Sequence, residues 1–429
     1  MIRNGPGRAV ACLICRYVSV SSSQTTVGVV LGGVTPEHEV SIISALQAAA
    51  ALDRSRYHPV PLYIAKDGTW YTGPDLLSVD TYRDIDALRA TAYPVSMHPG
   101  RYGTAKVVTQ PPSSAWKRLW HTPIQHTIDV MLLGLHGGPG EDGSVQGLCE
   151  TLGVPYTGSG VAGSAIGIDK VLSKQLCQHA DIPVVDFVAL RESDWAHHEE
   201  HQLDVCIDTL GLPVVVKPAR CGSSIGITRA DTRTELDAAS EDAFRYDDKV
   251  IVEEAVINLR EINCSVLGSP TEAMPSVLEE PLPSTEEAVL SFQDKYMRED
   301  GASGSKTASP EGMASLDRII PADLDADTTT SIQNLGLRVF QLFECAGVAR
   351  IDFMMDTDTG AVYFNEINTI PGSFSFYLWE PSGVPFDELM HRMIEAAQER
   401  FELQAGRIQT YDVNLLAERS LSGLKGSKR

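Results

Sequence analysis

Two short runs near the carboxyl end constrain the fold more than anything else in the chain. Val348 to Met355 and Ala361 to Asn368 both read as strands, and Asp358-Thr359-Gly360 between them is a three-residue hairpin loop with glycine at the left-handed position. In that register Asp352 lies across from Glu366 and Arg350 across from Asn368. Strand parity then puts all four side chains on one face. Two carboxylates and a carboxamide oxygen converging there form a hard-oxygen site suited to Mg2+, with water and phosphate oxygens filling the other positions. The competing interpretation is a solvated face with a cross-strand ion pair. The alignment depends on the turn, because a two-residue loop would shift the register.

A second feature is Lys217-Pro-Ala-Arg-Cys-Gly-Ser-Ser-Ile-Gly226. A strand delivers Lys217, and a loop of small residues lets backbone N-H groups and the Ser223 and Ser224 hydroxyls approach an anion, as phosphate-binding concavities require. It is not a Walker A loop, which would place Gly-Lys-Ser/Thr at the start of a helix. An ordinary hairpin turn is the alternative. Gly158-Ser-Gly-Val-Ala-Gly163 matches a dinucleotide fingerprint literally, but it is not on the first strand of its fold. No acidic strand end follows about 20 residues later.

Toward the amino end, Thr26 to Gly33 is a buried strand ending in two glycines, with Thr35-Pro36 as N-cap and first residue of a helix running through Leu52. Ile128 to Leu135 and Val154 to Thr157 are further buried strands, so this part reads as a parallel α/β domain. Residues 93 to 125 look irregular. Glu37 falls in the first helical turn just past the strand, and His136 leaves a strand into the glycine-rich run Gly137 to Gly143. For each of these two residues alone, helix-dipole complementation or a satisfied surface histidine is the simpler explanation.

Charge and length set outer limits. The 429 residues suffice for two or three compact units, and 35 basic against 57 acidic side chains give a net charge of −22. That disfavours nucleic acid or an anionic membrane as partner, and no apolar stretch reaches the ~18 to 20 residues of a membrane span. Eight scattered cysteines are no disulfide framework, and Cys12 and Cys15 lack the second pair that a zinc site needs. Residues 1–24 carry Arg3, Arg8 and Arg16 with no acid. They read as an unstructured extension in preference to a transit peptide.

Six motifs follow one another in a fixed order: Gly32 to Ser41, Leu135 to Gly143, Pro155 to Gly160, Val216 to Gly226, Asp294-Lys295-Tyr296, and Ala349 to Asp352 with Asn365 to Gly372. Their order and spacing resemble the D-alanine-D-alanine ligases of the ATP-grasp superfamily, from about Thr25 to Glu402. The resemblance implies a three-domain ATP-grasp fold, α/β with α+β character in the ATP-grasp part. Its pieces would be a leader (1–24), an N-terminal parallel α/β domain with the first D-alanine site (25–169), a central ATP-grasp subdomain (170–253), a C-terminal subdomain with metal site and mobile loop (254–405), and a tail (406–429).

It also implies roles. Glu37 would hold the ammonium of the first D-alanine and His136 would lie near its carboxylate. Lys170, Lys217 and Lys295 would bind ATP phosphates together with Ser223 and Ser224. Glu253 and the backbone near Val256 would meet adenine, and Glu261 the ribose. Asp352, Glu366 and Asn368 would bind two Mg2+ ions, with Mn2+ as a substitute. Arg350 and the Gly372 amide would stabilise the acyl-transfer charge, and Glu37, Ser223 and Tyr296 would form a triad closing a loop from about Phe292 to Ala314. Tyr377 stands where many members have a serine that meets the second substrate's carboxylate, and Cys221 replaces an acid of the phosphate loop. The implied enzyme is cytoplasmic, uses D-alanine and ATP, and leaves a homodimer open. The alternatives are a ligase taking D-serine or D-lactate second, or a silent nucleotide-binding protein.

Overall fold

The computed structural model describes residues 24–111, 123–282 and 318–411. The leader, Lys295, Tyr296, the expected closing loop and the tail beyond residue 411 lie outside them.

The first sheet contains β1 (Thr25–Gly32), β2 (Tyr57–Ile64), β3 (Trp70–Thr72), β4 (Tyr93–Pro99), β5 (Ala105–Thr109), β6 (Gln125–Ile128) and β7 (Val130–Leu133), in the order β6-β5-β4-β3-β2-β1-β7. Only β7-β1-β2 is parallel. These strands are covered on both faces, which is why β1 is a near-continuous apolar run. An antiparallel extension, β3 to β6, completes the sheet. Residues 93 to 125, expected to be irregular, therefore contain two strands. Pro94 and Pro99 break the pattern in β4, and the half-buried alternation of β5 runs for only five residues. The segment Val154 to Thr157 contributes a single parallel bridge, Met131 with Tyr156, and no full strand.

The second sheet is antiparallel: β8 (Phe187–Arg191), β9 (Val214–Pro218), β10 (Thr228–Ala230) and β11 (Lys249–Glu254), ordered β10-β9-β11-β8. Helix Lys170–His179 leads into it, capped by Asp169, whose carboxylate takes the Val171 and Leu172 amides and pairs with Lys249. The third sheet, also antiparallel, is formed by β12 (Leu259–Gly268), β13 (Ala273–Pro281), β14 (Arg318–Ile319), β15 (Gly347–Asp356) and β16 (Val362–Asn368), ordered β14-β13-β12-β15-β16. Helix Ala326–Leu342 packs Ile332, Val339 and Phe340 into its core. The last helix, Phe386–Ala405, returns to the first sheet. Leu389, Met390, Met393 and Ile394 join that sheet's core, and the Arg400 guanidinium sits 4.3 Å over the Tyr156 ring.

Among the described residues no helix is long and apolar enough to cross a membrane.

Candidate active site

The β15–β16 hairpin has the expected cross-strand pairs, reached by a different route. Asp352 faces Glu366 and Arg350 faces Asn368. The Asp356 amide donates to the Ala361 carbonyl at 2.9 Å, so the loop is 357 to 360, one residue longer than expected. That loop alone would slide Asp352 opposite Asn365. Phe353 does pair with Phe364, and then one extra residue, Asn365, is accommodated before the Asp352–Glu366 pair. This β-bulge restores the register and turns Asn365 toward the same cleft, where its Oδ1 accepts from Lys217 Nζ at 3.0 Å.

The polar row extends across the sheet. Asn263 on β12 faces both Asp352 and Glu279, so Glu279, Asn263, Asp352 and Glu366 lie in one line over four strands. Each carboxylate in it has a cation. Arg350 clasps Asp352 with two bonds of 2.7 Å, Lys170 lies 2.9 Å from Glu366, and Arg318 lies 2.9 Å from Glu279. Asn368 Nδ2 donates to Asp352 at 3.0 Å. Burial, reinforced by Glu366 and Glu279 and opposed by Arg350, pushes the Asp352 carboxyl up to about 6.

Opposite the row, β9 and β11 bring Lys217 and Glu253 together at 2.6 Å, and Lys174 approaches the other Glu253 oxygen at 3.0 Å. Burial raises the Glu253 carboxyl, but the two lysines overwhelm that effect and take it down to about 2. Burial would lower Lys170, yet Glu366 holds it above the usual lysine range. Lys217, Ser224, Glu253, Val256, Glu261, Arg350, Asp352 and Glu366, all singled out by sequence, line one cleft.

Ser223 and Ser224 have φ of +54 and +58, a left-handed pair where L-residues are strained, as at many ligand-cradling turns. Ser223 donates to Glu37, and the Cys221 carbonyl accepts from Lys170 at 2.8 Å.

Glu37 belongs to a neighbouring pocket. The helix starts at His38, so Glu37 is its N-cap and not a first-turn residue. Thr35 Oγ1 takes the Glu37 amide at 3.2 Å, and the Thr35-Pro36 turn delays the helix. The side chain thereby points at the loops of Gly137 and Gly222. Gly137 has φ +67 and ψ 166, a conformation that glycine adopts and L side chains rarely do, and a Cβ there would come within 2.4 Å of Glu37 Oε2. Glu141 in the same loop accepts the Gly137 amide at 2.7 Å and the Ile370 amide at 3.3 Å, and burial beside Glu37 raises its carboxyl to about 8. His136 bonds Ser44 Oγ through Nε2 at 2.8 Å. Burial takes its imidazole down to about 4, so it is neutral at ordinary pH. Ser44 Oγ also accepts the Ser373 amide at 2.9 Å, tying this pocket to the turn after Gly372. In that turn Ser373, Phe374 and Ser375 all have φ near +50, the second strained run in the protein. Tyr377 is buried beyond it, with the Arg318 guanidinium 4.0 Å above its ring.

Lys174, Glu141, Glu279, Arg318 and Asn365 were not singled out from the sequence. Lys174 follows Lys170 by four positions on one helix, a spacing that would have placed both on one face. Glu141 stood inside the quoted glycine-rich run. The Asn365 bulge leaves no sequence signal of its own.

Comparisons with known proteins place this geometry in a family. The model described as D-ala D-ala ligase N-terminus matches residues 26–159, and the one described as D-ala D-ala ligase C-terminus matches residues 176–395. The chain is 36% identical over 393 residues to the D-alanine–D-alanine ligase of Thermosipho africanus, covering 91% of this chain and 97% of that one. Among solved structures, the D-alanine-D-alanine ligase from Coxiella burnetii superposes with a TM-score of 0.72 at 28% identity, covering 92% of this chain and 99% of that one. The VanG D-Ala:D-Ser ligase from Enterococcus faecalis superposes with a TM-score of 0.69 at 27% identity, covering 87% and 100%.

Proposed function

The chain belongs to the D-alanine-D-alanine ligase family, and from that premise we propose how its residues divide the work. It is an ATP-dependent ligase that joins two D-alanines for peptidoglycan precursor synthesis. The observation that carries the division is the cleft lined by Lys217, Glu253, Asp352 and Glu366, with Lys170 paired to Glu366 from the adjoining pocket.

An amine does not displace water from a carboxylate at neutral pH. The carboxylate oxygen of the first D-alanine therefore attacks the γ-phosphorus of ATP and ADP departs, leaving an acyl phosphate. The second amine attacks its carbonyl carbon, and phosphate leaves with the bonding pair. Glu37 holds the first ammonium, and neutral His136 lies by that substrate's carboxylate without adding charge. Lys170 and Lys217, with Ser223 and Ser224, exchange their protein partners for phosphate oxygens. Glu253 and the backbone at Val256 take adenine, and Glu261 the ribose. Arg350 and the Gly372 amide meet the oxyanion that develops during acyl transfer. The amine must lose a proton before it attacks, and the Ser223 hydroxyl to Glu37 contact is the start of a path for it, with Tyr296 as the expected third member. Tyr377, under Arg318, is assigned to the second carboxylate.

The donor chemistry fits magnesium. Two carboxylates and one carboxamide from adjacent strands form a hard-oxygen set, and Asp352 is raised first by burial and then by Glu366 and Glu279, a cost that a bound cation would relieve. Asp352, Glu366 and Asn368 would hold Mg2+, which neutralises phosphate charge when bound. Two ions with Mn2+ as a substitute, Lys295 as a third phosphate ligand, a cytoplasmic setting and a homodimer belong to the same reading.

Phosphate release from ATP over a panel of D-amino and D-hydroxy acids tests it. Release with D-alanine as sole acceptor is expected; turnover confined to D-lactate or D-serine as second substrate would overturn the substrate assignment.

A further inference from the structure

Lys174 has no part in the mechanism above, yet its side chain is 0% exposed. A lysine is placed there at a large desolvation cost, and its contacts are specific. Nζ lies 3.0 Å from Glu253 Oε1 and 3.2 Å from the Phe364 carbonyl oxygen. Both groups adjoin Lys217. The other Glu253 oxygen is 2.6 Å from Lys217 Nζ, and the bulged Asn365, next to Phe364, offers Oδ1 at 3.0 Å. Lys174 thus holds from behind Glu253 on β11, which it shares with Lys217, and on β16 the Phe364 carbonyl next to the Asn365 that receives Lys217. Two lysines also share one carboxylate, so Glu253 keeps a counter-ion if Lys217 leaves.

We infer that Lys174 is a positioning residue for nucleotide binding: it fixes Glu253 and the Asn365 bulge so that Lys217 is parked facing the cleft. Once Lys217 exchanges Glu253 for a phosphate, Lys174 keeps Glu253 an ionised acceptor for the base. This rests on the assignment of Lys217 to phosphate and Glu253 to adenine. Without Lys174, the departure of Lys217 would strand a carboxylate that is 1% exposed, and nucleotide binding would bear that cost.

The test uses the full chain, ADP titration calorimetry and steady-state kinetics. Lys174→Met should weaken ADP binding and raise the KM for ATP by roughly 10- to 100-fold, with both D-alanine KM values moving less than about threefold. Lys174→Arg, which keeps the charge, should recover most of the loss. In a Glu253→Gln background, Lys174→Met should cost almost nothing more, because the residue acts through Glu253. ADP affinity within twofold of the parent in Lys174→Met would overturn the inference, as would equal losses for ATP and D-alanine, or additive losses in the double variant. If Lys174→Met does not fold, the double variant, which leaves one buried lysine without Glu253 where Glu253→Gln alone leaves two, is compared with Glu253→Gln alone, and a further fall in ADP affinity overturns the inference. Lys217→Met with unchanged ADP affinity would instead sink the phosphate assignment, leaving the Lys174–Glu253 coupling to be measured separately.

Discussion

The two pockets solve opposite electrostatic problems. In the nucleotide cleft every carboxylate of the polar row and Glu253 is matched to a lysine or arginine, and those cations can be re-partnered by a polyanion. In the pocket of the first substrate two acids sit close together, Glu37 accepting from Ser223 and Glu141 from two backbone amides. Burial first, and Glu37 second, push the Glu141 carboxyl up to about 8. A site of paired ions is ready to trade partners with phosphate, whereas crowded acids are ready for an incoming ammonium. The two needs of the reaction, holding ATP and holding an amino acid, fall to two sets of groups that meet where Glu141 adjoins Lys170, Glu366 and Asn368, and at the Ser223 loop.

The largest effect expected from this contrast is in the cleft. Glu366→Gln keeps shape but removes the charge that balances Lys170 and a bound cation. It should lower kcat by roughly a thousandfold or more while the protein still folds cooperatively, at a melting temperature lowered by the loss of the partner of Lys170. Near-parental turnover at saturating Mg2+ would remove Glu366 from the metal row. Next comes Glu37→Gln, which should raise the KM for the first D-alanine by roughly 10- to 100-fold, the worth of a charge-assisted contact of ~1.5 to 3 kcal/mol, while ATP KM stays within about threefold. Equal effects on both would show that the two pockets are not electrostatically separate.

How far these pockets were legible in the sequence differs for a physical reason. The hairpin pairing, the Lys217 strand and the Glu37 and His136 loops follow from local periodicity and turn chemistry, because strand parity and glycine need only neighbouring residues. The partners of those residues do not. The Asp352–Glu366 pair was expected from a three-residue loop, but the protein uses a longer loop and a compensating bulge at Asn365. Two departures from the simple pattern cancelled, and periodicity cannot register such a cancellation. Lys174 and Arg318 gain meaning only when β11, β13 and β16 come together over distances of more than 35 residues. Strand β4 was missed because Pro94 and Pro99 break its pattern, and β5 because five residues are too short a run to stand out without the pairing that holds it.

A smaller effect sharpens the contrast at the second subsite. Tyr377 is buried against Arg318, which is itself fixed by Glu279, so a carboxylate arriving there would meet a phenol and a restrained cation. Tyr377→Phe should raise the KM for the second D-alanine roughly 5- to 30-fold and that for the first much less, as one lost hydrogen bond of ~1 to 2 kcal/mol requires. Matching changes at both subsites would remove Tyr377 from carboxylate recognition.

The smallest effect tests the crowded acids directly through stability. Glu141 has its folded value raised from 4.5 to about 8, by burial first and by Glu37 second. Between those values the folded state holds a proton that the unfolded state has released, so this stabilising contribution is fully present below about 4.5 and is lost as pH rises through about 8. His136 works the other way. Burial lowers it from 6.5 to about 4, so its contribution is present above 6.5 and is lost as pH falls through about 4. The two slopes oppose each other from 4.5 to 6.5, and above 6.5 Glu141 acts without that opposition. Urea unfolding of the parent should therefore weaken from pH 6.5 to 8.5 by about 1 to 2 kcal/mol, discounted because Glu37 and Glu141 titrate as a pair. Glu141→Gln loses one of the two backbone bonds, since its amide nitrogen cannot accept, but that penalty is the same at every pH. The substitution should flatten the slope whatever it does to the absolute stability. A slope unchanged by Glu141→Gln would show that the acids in this pocket are not crowded enough to share a proton, and the electrostatic contrast between the two pockets would fail at its weaker end.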